Sequence, residues 1–310
     1  MQEILLSFGL IILAGVFFRR FMPEGMNADT LRLAINVSVL NLFLPALCIK
    51  VLYLSEIDSD IVLIPAAGLV TMLITLFLSM GVYYLLSRKI ALAPSEKGVL
   101  ILAAVFGNVT YLGLPVLTGL FGDESAKYAL YYDLLATTPF LWLVGASLAS
   151  RYGGAKSFSV GEALKTILSL PPVWGIFIGI ALQMSGLVLP SFLLDTLDMF
   201  GSLVVPLMIF SIGLALTVPP VKHAYIIIPA VVIKLIISPA IALLAARALG
   251  IKGIALAASV IEGSMPTMVL SLLIAARFRL DVPLAAFVIL VSTVLSFFTL
   301  PLIVYITGLL

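Results

Sequence analysis

Charge, cysteine, histidine and amide side chains are all scarce in this chain. Asp, Glu, Lys and Arg make up 10% of its 310 residues, where a soluble domain carries roughly 25%. The 17 Lys and Arg nearly balance the 15 Asp and Glu, for a formal net charge of +2. Such a balance leaves no basic surface for nucleic acid, and disorder needs far more net charge and far less apolar content. Cys48 is the one cysteine, so no internal disulfide can form, and with a single histidine, His223, there is no Cys/His cluster for a metal. His223 reads as an interfacial residue beside Lys222. Amides number four Asn and two Gln. No GxxxxGK[ST] loop, HExxH motif or Ser/His pair is present, which excludes a built-in nucleotide motor and the familiar hydrolase sites.

What remains is apolar: 63% of the chain by the AVILMFWYC count. This composition predicts an all-α polytopic membrane protein. A helix needs about 20 apolar residues to cross roughly 30 Å of hydrocarbon. Cutting at charged and Gly/Pro-rich stretches gives ten candidate spans, near 4–18, 30–54, 61–86, 97–121, 126–150, 165–188, 191–218, 223–248, 252–276 and 282–308. The first follows Glu3 and precedes Arg19 and Arg20, the reverse of a secretory leader, and is expected to be a retained span.

Positive charge orients the chain, because Lys- and Arg-rich short loops stay cytoplasmic. The odd connections hold 12 such residues, namely Arg19, Arg20, Arg32, Arg88, Lys89, Lys97, Arg151, Lys156, Lys165, Lys222, Arg277 and Arg279. The even ones hold 4: Lys50, Lys127, Arg247 and Lys252. Both termini are therefore expected on the extracytoplasmic side of a plasma membrane. Arg277 and Arg279 read as cytoplasmic anchors.

The chain also looks doubled. Pro45 and Pro206 are 161 residues apart, Pro65 and Pro229 164 apart, and Pro139 and Pro301 162 apart. Two five-span repeats, 1–155 and 156–310, follow from that offset. Five is odd, so the second repeat is expected inverted relative to the first, a transporter pattern.

Span four contains Phe106-Gly107-Asn108-Val109-Thr110-Tyr111-Leu112-Gly113-Leu114-Pro115. Pro115 lacks an N–H and clashes with the carbonyl of Tyr111, and the two glycines weaken the helix on either side. Span nine has a counterpart, Glu262-Gly263-Ser264-Met265-Pro266-Thr267. Interrupted helices at corresponding places in two halves point to a midplane binding site. The candidate substrate residues are Asn108, Thr110, Gly113, Pro115, Ser264, Pro266 and Thr267.

Three ionisable residues fall well inside spans: Asp133, Lys234 and Glu262. Each costs at least ~2.5–3.5 kcal/mol at the bilayer centre and calls for a partner or a purpose. Glu262, beside the second break, is the first choice for a cation ligand or proton carrier. A sodium ion would draw on Glu262, Asn108, Thr110 and Ser264. Asp133 and Thr137 are four apart and share a helix face, so both are candidates for ion coupling. Lys234 would balance Asp133 or Glu262. Asp195 and Asp198 open span seven and favour its helix dipole.

Gly107-Asn108-Val109-Thr110-Tyr111-Leu112-Gly113-Leu114-Pro115-Val116-Leu117, with Gly119-Leu120-Phe121-Gly122, resembles the fourth-span segment of the auxin efflux carrier family. Lys234-Leu235 with Ser238-Pro239 is similar to its eighth span, and Met265-Pro266-Thr267 with Ala275-Ala276-Arg277-Phe278 to its ninth. The resemblance covers essentially the whole chain and lacks the long hydrophilic loop of the plant carriers. It implies a fold shared with bile acid/sodium symporters. Spans 1, 2, 6 and 7 would form a scaffold and homodimer surface, and spans 3–5 and 8–10 a mobile transport domain. Broken spans 4 and 9 would cross at its centre. It further implies elevator-type transport of organic anions with Asn108 near the substrate, and its sodium-coupled relatives raise the sodium reading of Glu262. Proton-coupled or uncoupled efflux is the alternative, and an intramembrane enzyme using Asp133 and Glu262 as an acid/base pair is remote.

Overall fold

The computed structural model describes residues 2–23, 25, 27–155, 158–215 and 224–309. His223, Lys222 and Lys156 lie outside the described residues. Among those described, the chain is helical and has no strand beyond one isolated bridge. We label the helices α1 Gln2–Arg20, α2 Ala28–Leu54, α3 Asp60–Leu86, α4 Pro94–Val105, α5 Val109–Phe121, α6 Asp123–Tyr152, α7 Val160–Leu168, α8 Pro171–Ser185, α9 Ser191–Ala215, α10 Ala224–Ala248, α11 Gly253–Gly263, α12 Leu270–Arg277 and α13 Val282–Thr307. Six of these (α2, α3, α6, α9, α10 and α13) are long and apolar enough to cross a membrane, and α7 with α8, bent by 60°, makes a seventh if counted as one. Ends are set by local chemistry. Asn27 accepts from the N–H of Asp29 at the start of α2, and Asp281 accepts from that of Leu284 at the start of α13. Ser159 and Glu162 exchange hydrogen bonds in a capping box before α7.

Proline shapes these helices in a repeated way. Among the described residues, four of five five-residue π segments, Val39–Phe43, Val109–Gly113, Asp133–Thr137 and Ile233–Ile237, end two residues before Pro45, Pro115, Pro139 and Pro239, and the fifth, Leu141–Gly145, precedes no proline. A proline cannot donate to the carbonyl four residues back and crowds it. Widening the preceding turn to i→i+5 bonding relieves that clash without breaking the helix. The N–H groups of Leu44, Thr138 and Ser238 accordingly donate five residues back, to Val39, Asp133 and Ile233.

By contact the described chain forms two units. The first comprises residues 1–59, 110–130 and 167–216. Small residues let its backbones approach closely. Gly15 of α1 lies on Gly213 of α9, where a Cβ on Gly213 would sit 2.2 Å from the carbonyl oxygen of Ile12. Gly175 and Gly179, one turn apart on α8, lie on Pro45, Cys48, Ile49 and Leu52 of α2. Lys50 pairs with Asp198, and Lys127 approaches Asp58 at 3.5 Å. Asp198 thus answers a lysine of α2, and neither it nor Asp195 lies in the first turn of α9. The dipole expectation for these two is corrected, because α9 starts at Ser191, a turn before Asp195.

The second unit comprises residues 60–109, 131–166 and 217–310. Its core runs through α4, with every residue from Gly98 to Val105 buried. Tyr83 of α3 is buried and donates to the carbonyl of Ile226, while accepting from the N–H of Ala230. This phenol satisfies both groups where α10 begins.

Candidate functional site

The first interrupted span breaks at Gly107 and not at Pro115, which the π turn before it keeps inside α5, and the second breaks between Gly263 and Pro266. α4 ends at Val105, and Phe106 turns to extended backbone at φ −91° and ψ 117°. α11 ends at Gly263, with the N–H of Ser264 donating to Val260 and Ile261. Within the second unit the two breaks lie antiparallel, joined by the bridge between Gly107 and Thr267. The N–H of Asn108 donates to the carbonyl of Pro266 at 2.7 Å, and that of Met268 to the carbonyl of Phe106 at 2.9 Å. Thr267 supplies two further links. Its hydroxyl donates to the carbonyl of Ala103 at 3.0 Å, and its N–H donates to the hydroxyl of Ser292 at 3.1 Å. Interrupting a helix in lipid strands polar backbone groups at several kcal/mol each. Here each break satisfies groups that the other has freed.

The three ionisable residues expected inside spans are all buried in this unit. Relative exposure is 4% for Asp133, 2% for Lys234 and 1% for Glu262. Asp133 and Lys234 are the charges that act on Glu262, and Glu262 acts in turn on Tyr132. Tyr132 packs its ring on Gly68 of α3. Neither carboxylate oxygen of Glu262 has a hydrogen-bond partner, nor does Nδ2 of Asn108. Buried polar groups are normally paired, and each that is not costs about 1–3 kcal/mol. An acceptor pair and a donor therefore stand unsatisfied at the two breaks.

Lys234 is held differently. Its ammonium donates to the hydroxyl of Ser238 at 3.2 Å and to the carbonyl of Gly263 at 3.1 Å, and that carbonyl also accepts from Ser238 at 2.8 Å. A Cβ at Gly107 would lie 3.1 Å from both Cε and Nζ of Lys234 and 3.3 Å from the carbonyl oxygen of Met265. Glycine at 107 gives the lysine stem room, since any other side chain would begin in tight contact with it.

The second unit brings together Asn108, Lys234, Glu262, Ser264, Pro266 and Thr267, and also holds Asp133 and Thr137. Thr110, Gly113 and Pro115 belong to the first unit, where each is buried. The hydroxyl of Ser264 donates back to Val260 at 2.7 Å. Residues 133–137 form a π segment, so the hydroxyl that reaches Asp133 is that of Thr138 at 3.2 Å, while Thr137 donates to the carbonyl of Tyr132. Arg277 lies over the rings of Trp142, Phe158 and Phe278 at 5.6, 5.1 and 5.5 Å. Sequence reasoning missed Tyr132 and Ser292. The one signal for Ser292 was the spacing of Ser292, Thr293 and Ser296 on one face of an otherwise apolar helix. Among the described residues no three His, Cys, Asp or Glu side chains converge as a metal site.

A helical membrane chain with two paired breaks and buried charge beside them has the build of a carrier. Residues 10–304 match the family described as membrane transport protein. The chain belongs to the membrane transport protein family. This is the family of the auxin efflux carriers, which the fourth-span residues resemble, and its members are transporters rather than enzymes. Two archaeal relatives share its full length. An uncharacterized transporter of Methanothermobacter thermautotrophicus is 32% identical over 305 residues, 97% of this chain and 96% of its own. An uncharacterized transporter of Methanocaldococcus jannaschii is 29% identical over 305 residues, 97% of each chain. This member of the membrane transport protein family is therefore a multi-pass membrane transporter.

Proposed function

We propose that the protein is a secondary active transporter of small organic anions, carboxylates in particular, working by elevator-type alternating access in the plasma membrane. The observation that carries this reading is the paired break. Two interrupted helices meet in one unit with Asn108 Nδ2 and the Glu262 carboxylate buried and unpartnered there. Such breaks persist in lipid only where protein, water or a ligand answers the freed groups. Asn108, Ser264, Pro266 and Thr267 would face the anion. The antiparallel run of the breaks and the proline offsets support two inverted repeats, and the Lys and Arg bias of the odd connections supports ten spans with both termini outside. The grouping of spans 1, 2, 6 and 7 in the first unit supports a separate scaffold, which would pair two copies. Those of spans 3, 8, 9 and 10 in the second support a mobile domain.

Glu262 would carry the coupling step. In the sodium version Asn108 and Ser264 join it as ligands, and in the second version a proton or no ion is moved. Proteoliposome uptake across a carboxylate panel tests the transport reading, and an imposed sodium gradient at clamped pH tests the coupling. Sodium-driven accumulation supports the first version, and accumulation indifferent to sodium the second. Failure to move any carboxylate under any gradient would remove the substrate class.

A further inference from the structure

The sodium version requires a place for the ion among oxygens freed by the breaks, and several of those oxygens are already engaged. The carbonyl of Pro266 accepts from Asn108, that of Phe106 from Met268 and that of Ala103 from Thr267. Where α11 stops, the carbonyl of Gly263 and the hydroxyl of Ser238 lie 2.8 Å apart, and both are engaged by the Lys234 ammonium. A backbone carbonyl and a hydroxyl beside a buried carboxylate are the hard oxygen ligands a monovalent metal ion takes. Here a covalently attached cation occupies them. Gly107, bare of a side chain, clears the path of the lysine stem from the opposite break.

We propose that Lys234 is the resident cation of the paired breaks, its ammonium standing in the position a sodium ion would fill, so that the protein binds no sodium there. This rests on reading the paired breaks as the transport site. It goes beyond charge balance in a specific respect. Glu262 and Lys234 are not hydrogen-bonded to one another, since both carboxylate oxygens lack a partner. The lysine therefore serves the oxygen ligands of the break directly and the carboxylate only through its field. Removing the ammonium should leave a small oxygen-lined position next to an unneutralised carboxylate, and a free monovalent cation should then enter it.

Thermal unfolding of the purified full-length protein in detergent tests this without knowledge of the substrate. Melting is followed in sodium chloride, methylammonium chloride and choline chloride at equal ionic strength and pH. Wild type should show no stabilisation by sodium over choline. Lys234→Ala should gain one of about 2 °C or more with sodium or methylammonium. Lys234→Gln, which keeps most of the stem and removes the charge, is the second variant should alanine fail to fold. A sodium-specific stabilisation of the wild type overturns the proposal. So does a folded variant that responds to neither sodium nor methylammonium. If neither variant folds, the wild-type comparison decides, with indifference to sodium supporting the proposal. Loss of the transport reading would register instead as absence of carboxylate uptake, and the melting comparison would stand apart from it.

Discussion

The N–H of Asn108 donates to the carbonyl of Pro266 at 2.7 Å, so the asparagine in the break of one helix is tied by its backbone to the proline that interrupts the other. This contact uses the main chain of Asn108 and leaves its side-chain Nδ2 unpartnered. Structure and recognition are thereby divided between two parts of one residue.

That division makes Asn108→Ala informative. Its backbone bond survives and a buried unsatisfied donor is removed, so stability should hold or rise slightly. Affinity for the transported anion should fall about tenfold, the worth of one hydrogen bond to a charged group. Unchanged affinity in a competition uptake assay would move the anion site elsewhere.

Glu262→Gln removes a buried charge at constant shape. The variant should still fold, because the side chain keeps its shape and Lys234 keeps its bonds to Ser238 and Gly263. Ion-coupled accumulation should be lost, while counterflow exchange of the substrate persists. Accumulation at the wild-type level would remove Glu262 from the coupling step.

Gly107→Ala places a Cβ 3.1 Å from Cε and Nζ of Lys234. Displacing that stem should cost about 1–3 kcal/mol, in the usual range for overpacking. The penalty should shrink in the double variant with Lys234→Ala, where the obstructing atoms are gone. Additive melting shifts in that cycle would show that the two residues do not meet.

Thr138→Val removes the hydroxyl that reaches Asp133, and Thr137→Val removes one that bonds only the backbone of its own helix. Transport should respond more to the first than to the second. The opposite ranking in an uptake assay would restore ordinary α spacing to this stretch.

Gly213→Leu should prevent folding of the first unit. A Cβ there already lies 2.2 Å from the carbonyl oxygen of Ile12, a rigid backbone atom. Loss of the monodisperse peak in size-exclusion chromatography is the expected reading, and a normal profile would contradict the close helix approach.

Much of the site could be read directly from residue types. Gly107 and Pro266 mark the breaks because glycine and proline act on the backbone itself, whatever surrounds them. Asp133, Lys234 and Glu262 stood out because charge is rare in this chain and expensive in lipid. Thr138 and Ser292 did not stand out. A π segment changes which residue stands beneath Asp133, and whether proline strain is relieved by widening a turn or by breaking the helix depends on the neighbours available to bond the freed groups.

Composition alone determined that this is a helical membrane protein, since apolar content and the scarcity of charge act through transfer free energy and need no knowledge of contacts. The sequence also marked the two spans that are interrupted. Only the tertiary structure decided what those interruptions are used for. It set the two breaks against each other and put the Gly263 carbonyl within reach of an ammonium 29 residues away in the chain. Pairings of that kind depend on which freed groups come within hydrogen-bond distance. Distances across a fold are fixed by packing, which no local pattern records.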